Sequence, residues 1–97
     1  MENSFPLEMA RAVFNPNAYL PNFKNRRAGL KARTLILDAL GKHPSDIETL
    51  RSETGLSTSS LRYHLRLLES RRLVRKIRSG RRVTYELTGL GQQPIIL

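Results

Sequence analysis

The chain has 97 residues, no cysteine, two histidines and a formal net charge of +9 from 17 basic against 8 acidic residues. A chain this short holds one domain near the lower limit of a self-supporting core, and without cysteine it has neither disulfides nor thiolate metal sites. The two histidines, His43 and His64, stand too far apart in sequence to suggest a ligand cluster, so no metal and no cofactor is expected. The charge excess points to a polyanion.

Residues 1–24 are apolar and proline-bearing, unlike the rest of the chain. Pro6 can open a short helix that carries Leu7, Ala10 and Phe14 on one side, until Asn15-Pro16-Asn17 breaks it. This stretch reads either as a loose leader or as an arm packed on its own domain or on a second copy. Packing is favoured, because Leu7, Phe14, Tyr19, Leu20 and Phe23 would otherwise lie in water; these five are the candidate dimerisation residues.

The spacing of Leu30, Ile36, Leu37 and Leu40 predicts a first helix over 25–41, stopped by Gly41 and Pro44. Ser45-Asp46-Ile47-Glu48 has the form of a capping box, with Ser45 opening a second helix that buries Ile47 and Leu50 and ends at Thr54-Gly55. Ser57 then caps a third helix, expected over 58–71. Leu61, Leu65 and Leu68 fall on one stripe of it, while Ser59, Arg62, Tyr63 and Arg66 fall on the opposite face. Beyond Leu73-Val74 the period changes to two, giving strands through 74–78 and through Val83, Tyr85 and Leu87, joined at Ser79-Gly80. Gly89, Gly91 and Pro94 argue against a long final helix and leave Ile95-Ile96-Leu97 as an apolar tail.

From Arg62 to Arg82 nine basic residues face one acid, Glu69, a local charge of +8. Thirteen of the 17 basic residues are arginine, whose planar fork suits phosphate oxygens and guanine edges. The order of helices, glycine turn, basic helix and basic hairpin, with Leu50, Gly55-Leu56-Ser57, Leu61, Tyr63-His64-Leu65, Leu68 and Leu73-Val74, resembles the winged helix-turn-helix of ArsR/MarR-type transcription regulators. The resemblance covers roughly 30–88. It implies a mostly α fold, with a three-helix core plus a two-stranded antiparallel wing, as residues 25–88 between an arm of 1–24 and a tail of 89–97. Arg51 departs from it where a small residue usually stands, and Arg72 where glycine usually precedes Leu-Val. The cysteine, histidine and carboxylate ligands of metal-sensing members have no counterpart.

The resemblance implies a double-stranded DNA partner, with the third helix in the major groove. Thr58, Ser59, Arg62 and Tyr63 are the candidate base-reading residues, and Ser57 and Arg66 the candidate phosphate contacts. The wing offers Arg78, Arg81 and Arg82 to backbone or minor groove, and the flanking Arg71, Arg72, Arg75 and Lys76 join them as secondary candidates. His64 points to the buried side and reads as structural. The marginal core and apolar arm point to a homodimer. Nothing suggests an enzyme: no base accompanies the serines of 57–60, and no glycine-rich phosphate loop is present. The competing readings are a sequence-neutral architectural DNA-binding protein and a winged-helix module for RNA or protein. No export signal or membrane span is legible, and a cytoplasmic, nucleoid-associated protein is expected.

Overall fold

A computed structural model describes residues 14–92. Leu7, most of the expected helix after Pro6 and the tail Ile95-Ile96-Leu97 lie outside the described residues. A 3-10 turn at Pro16–Ala18 precedes α1 (Arg27–Lys42), α2 (Ile47–Thr54), α3 (Thr58–Ser70), β1 (Val74–Ser79), β2 (Arg82–Leu87) and a single helical turn, α4 (Gly89–Gln92). This is a three-helix core with a two-stranded antiparallel wing, the winged-helix fold.

The core is where the helical stripes meet. Leu30, Ile36, Leu37 and Leu40 of α1, Leu50 of α2 and Leu61, Leu65 and Leu68 of α3 form one buried cluster, closed by Leu73, Val74, Tyr85 and Leu87. Burying each leucine stabilises the fold by roughly 1.5 to 3 kcal/mol before entropy is counted. Segment 14–26 packs onto this body as well: Ala18 and Leu20 are buried in the cluster, with Phe14 and Phe23 against it. Leu20 therefore faces its own protomer's core and cannot serve as a dimer contact without leaving it, whereas Tyr19 is 48% exposed.

The turns follow from residue chemistry. Gly55 takes φ 77° and its amide donates to Arg51 O, which ends α2; Thr54 Oγ1 donates to Leu50 O at 2.6 Å and accepts from Leu56 N. Ser57 caps α3 by accepting from Ser60 N at 3.1 Å. At the second helix the expected cap moves by one residue. Asp46, not Ser45, accepts the Thr49 amide at 2.8 Å, because Ser45 is held in an antiparallel bridge, donating its amide to Tyr85 O and accepting from Tyr85 N. That bridge ties the wing to the start of α2. The wing turn also lies one residue later than expected: Ser79 pairs with Arg82, which leaves Gly80-Arg81 as the tip. Gly80 has φ 62°, the left-handed geometry that a two-residue hairpin turn with glycine first requires.

Arg72, where glycine was expected, also adopts the left-handed region, with φ 63°. Its amide donates to Glu69 O while the Leu73 amide reaches back to Leu68 O at 3.0 Å. This paired closure of a helix end normally takes glycine at the left-handed position. Arg72 is exposed, and its backbone oxygen accepts from Thr88 Oγ1, a bond that glycine preserves. Arg72→Gly is therefore expected to raise stability by about 0.5 to 1 kcal/mol. Urea denaturation checks this, and a lowered midpoint would mean that the arginine side chain stabilises more than its backbone costs.

Candidate nucleic-acid interface

Helix α3 divides as its sequence requires. Leu61, His64, Leu65 and Leu68 are buried, while Ser59, Arg62, Tyr63 and Arg66 are exposed, Tyr63 by 52%. Thr58 is half-buried at the first turn, and the Ser57 hydroxyl is engaged in its cap, 3.4 Å from Ser59 Oγ. Arg62 and Arg66, one helical turn apart on this face, make no hydrogen bond or ion pair with a described residue. An isolated guanidinium in this position keeps all its donors for an incoming ligand.

The wing divides less evenly. Arg78, Arg81 and Arg82 are exposed around the Gly80 turn. Arg78 and Arg81 have no bonded partner among the described residues, and Arg82 lies close enough to Asp46 to lower that carboxyl's pKa, an effect secondary to the Thr49 hydrogen bonds. Arg75 is committed instead: it donates through Nη2 and Nε to Glu86, its cross-strand neighbour, at 2.6 and 3.0 Å. Its charge is largely neutralised, so it contributes less to the positive field than its position in the sequence implies. Lys76 holds its ammonium 5.9 Å from the centre of the Tyr85 ring. Arg71, at the end of α3, donates to Pro21 O at 2.6 Å and lies over Phe23, which makes it a tie to the arm. Arg51 is exposed and pairs with Glu48 at 3.4 Å, so the large side chain there does not keep the helices apart.

One buried cation was not anticipated. Arg33 is 1% exposed. Its Nε donates to Ala18 O at 2.8 Å and its Nη2 to Asn25 Oδ1 at 3.0 Å, with Phe23 at 5.4 Å beneath the guanidinium. Asn25 in turn fastens the arm, donating to Leu20 O and Phe23 O and accepting from Leu20 N. His64 Nδ1 lies 3.5 Å from Arg33 Nη1, and the Tyr63 ring meets His64 edge-on.

Burial first, and the neighbouring Arg33 charge second, hold the His64 imidazole below its usual 6.5. The folded chain therefore takes up this proton less readily than the unfolded chain. The corresponding stability is complete above pH 6.5 and is lost as pH falls from there toward the lowered folded value. The urea midpoint is expected to drop between about pH 7.5 and about pH 5.5, and His64→Gln, which cannot take up the proton, is expected to reduce that drop. An equal drop in the variant would remove His64 as its source.

Among the described residues no group of histidine and carboxylate side chains could hold a metal ion, and no helix is long and apolar enough to cross a membrane.

Comparison with known proteins bears on the fold. The family model for the ribonuclease R winged-helix domain matches residues 36–93. No curated protein matches the chain. Among solved structures, the Mycobacterium tuberculosis protein Rv0081 is similar over 95% of this chain and 80% of its own, at 22% identity and a TM-score of 0.60. The homodimeric winged helix-turn-helix DNA-binding domain of Mycobacterium bovis Mb0332, described as a possible ArsR-family transcriptional regulator, is 24% identical with a TM-score of 0.57, over 75% of this chain and 80% of its own. Lactococcus lactis ZitR, in a form with one cysteine replaced by serine, is 18% identical with a TM-score of 0.60; the match spans 90% of this chain but 62% of ZitR. At these identities the structures share the fold.

Proposed function

We propose that this chain, which belongs to the ribonuclease R winged-helix domain family, binds double-stranded DNA as a transcription regulator, with α3 in the major groove and the Gly80 tip along the backbone or minor groove. The observation that carries this reading is the outward face of α3, where Arg62 and Arg66 stand exposed, one turn apart and without a bonded partner among the described residues, beside Ser59 and Tyr63. A helix of this width fits the major groove of B-form DNA, where each base pair presents its own donor and acceptor pattern. Thr58, Ser59, Arg62 and Tyr63 then read bases, Ser57 and Arg66 fix the register on phosphates, and Arg78, Arg81 and Arg82 hold the wing, with Lys76 and the partly neutralised Arg75 at its margin.

The experiment is selection from randomised duplexes at moderate and at higher salt, followed by sequencing of the bound fraction. One enriched motif surviving the higher salt supports the regulator reading. Binding without a motif, lost steeply with salt, supports an architectural protein instead. A second reading is favoured by the family description itself, since a ribonuclease acts on RNA. The major groove of A-form RNA is too deep and narrow for side chains to read, so an excess of duplex RNA is expected to leave bound DNA in place; displacement would favour RNA.

The regulator works as a homodimer in this reading, supported by the homodimeric relative and by the exposure of Tyr19 (48%) and Leu90 (53%), which with Tyr63 of the α3 face are the large hydrophobic side chains left in solvent among the described residues. Two recognition helices would then meet half-sites about 34 Å apart. Tyr19→Glu is expected to weaken self-association by about tenfold or more in sedimentation equilibrium, because a carboxylate in an apolar interface is costly to desolvate. An unchanged dimer would move the contact away from the arm.

A further inference from the structure

We propose that the cavity between the arm, the start of α1 and the middle of α3 is a binding site for a small phosphate monoester, separate from any contact with nucleic-acid backbone. The cavity measures about 290 Å³ and is lined by Phe23, Lys24, Arg26, Gly29, Arg33, Tyr63 and His64, among other atoms. That is the lower end of the range for ligand pockets, so the occupant is small.

Its floor is Arg33. A guanidinium has five N–H donors, yet among the described residues two well-placed acceptors meet this one, Ala18 O and Asn25 Oδ1, and a third, His64 Nδ1, stands at the 3.5 Å limit. No carboxylate among the described residues pairs with it. A buried cation with unsatisfied donors is unfavourable unless an anion completes it. Gly29 packs against that edge of the guanidinium, where a Cβ would come within 2.9 Å of Nη1.

The wall and rim point the same way. The N-cap of α1, Arg26, makes no side-chain cap bond, so among the described residues the first amides of this 16-residue helix have no side-chain acceptor, and Arg26, Ala28 and Gly29 at this positive end border the cavity. Lys24 and Arg26 are exposed at the rim. Three cations and a helix end with no lining acid suit a dianion with three acceptor oxygens better than a single-charged phosphodiester. The Phe23 and Tyr63 rings leave the esterified group an aromatic or apolar bed.

Tyr63 belongs both to this cavity and to the face assigned to DNA, so binding is measured first without nucleic acid, and failure then concerns the cavity alone. The intact chain is titrated with phenyl phosphate and followed by NMR of the His64 ring. Saturable 1:1 binding that shifts these resonances is expected, together with a loss of about tenfold or more in the rim variant Lys24→Ala/Arg26→Ala, whose exposed substitutions leave the core intact. Shifts that fail to saturate, or a rim variant that binds as the parent does, would overturn the proposal. So would displacement of phenyl phosphate by a short duplex, which would assign the site to the nucleic-acid backbone; retention beside bound duplex supports a separate site.

Discussion

Leu61→Ala is expected to cost about 2 to 5 kcal/mol of stability, the largest effect on folding of any single change considered. Leu61 is fully buried, at 0% exposure, in the cluster that joins α3 to the other helices. Truncation to Ala removes three carbons, a methine and two methyls, from the buried cluster and leaves a cavity that a close-packed core fills only in part. A domain of this size has a total stability of about 5 to 15 kcal/mol, so the loss is a large part of the whole. Thermal or urea denaturation measures it, and a loss below about 1 kcal/mol would mean that the core relaxes around the gap or that Leu61 is less tightly packed than its burial implies.

What the sequence discloses here and what it hides have different physical origins. The stripe of Leu61, Leu65 and Leu68, the left-handed Gly55, the Ser57 cap and the alternation of Val83, Tyr85 and Leu87 are local properties, set by the helical and strand periods and by single-residue backbone preferences. Each is therefore legible from neighbours in the chain. Ser45 and Asp46 are both good caps, and the choice between them was made by Tyr85, forty residues away, which took Ser45 into a bridge. The one-residue shift of the wing turn is likewise a matter of pairing register, which propensity fixes weakly. Arg33 was hidden for another reason. It stands three residues after Leu30 and four before Leu37, on the buried stripe, and that interruption was the available signal. Charge alone assigns an arginine to the surface, whereas Ala18 O and Asn25 supply the acceptors that let this one stay inside. For the interface, sequence counting gave the excess of arginines but not their commitments: Arg75 to Glu86 and Arg71 to Pro21 are contacts between distant segments.

Arg62 follows Leu61 directly, and its replacement is expected to have the opposite profile. Arg62→Ala removes an exposed side chain with no bonded partner among the described residues, so stability should stay within about 0.5 kcal/mol. Under the DNA reading it loses a base contact worth about 1 to 3 kcal/mol on the selected motif, or roughly fivefold to 150-fold in affinity, and affinity for unrelated duplexes changes far less. Arg81→Ala at the wing tip is expected to differ in kind. A backbone contact is indifferent to sequence, so all duplexes weaken together and the slope of log affinity against log salt falls by about 1. The pair is measured by titrating parent and variants against motif and scrambled duplexes at several salt concentrations. The decisive quantity is the ratio of motif to scrambled affinity: α3 reads bases if Arg62→Ala compresses that ratio while Arg81→Ala leaves it unchanged. If both variants lower the two affinities equally, α3 contacts only phosphate, and the exposed arginines of helix and wing serve one sequence-neutral, salt-sensitive grip on the duplex.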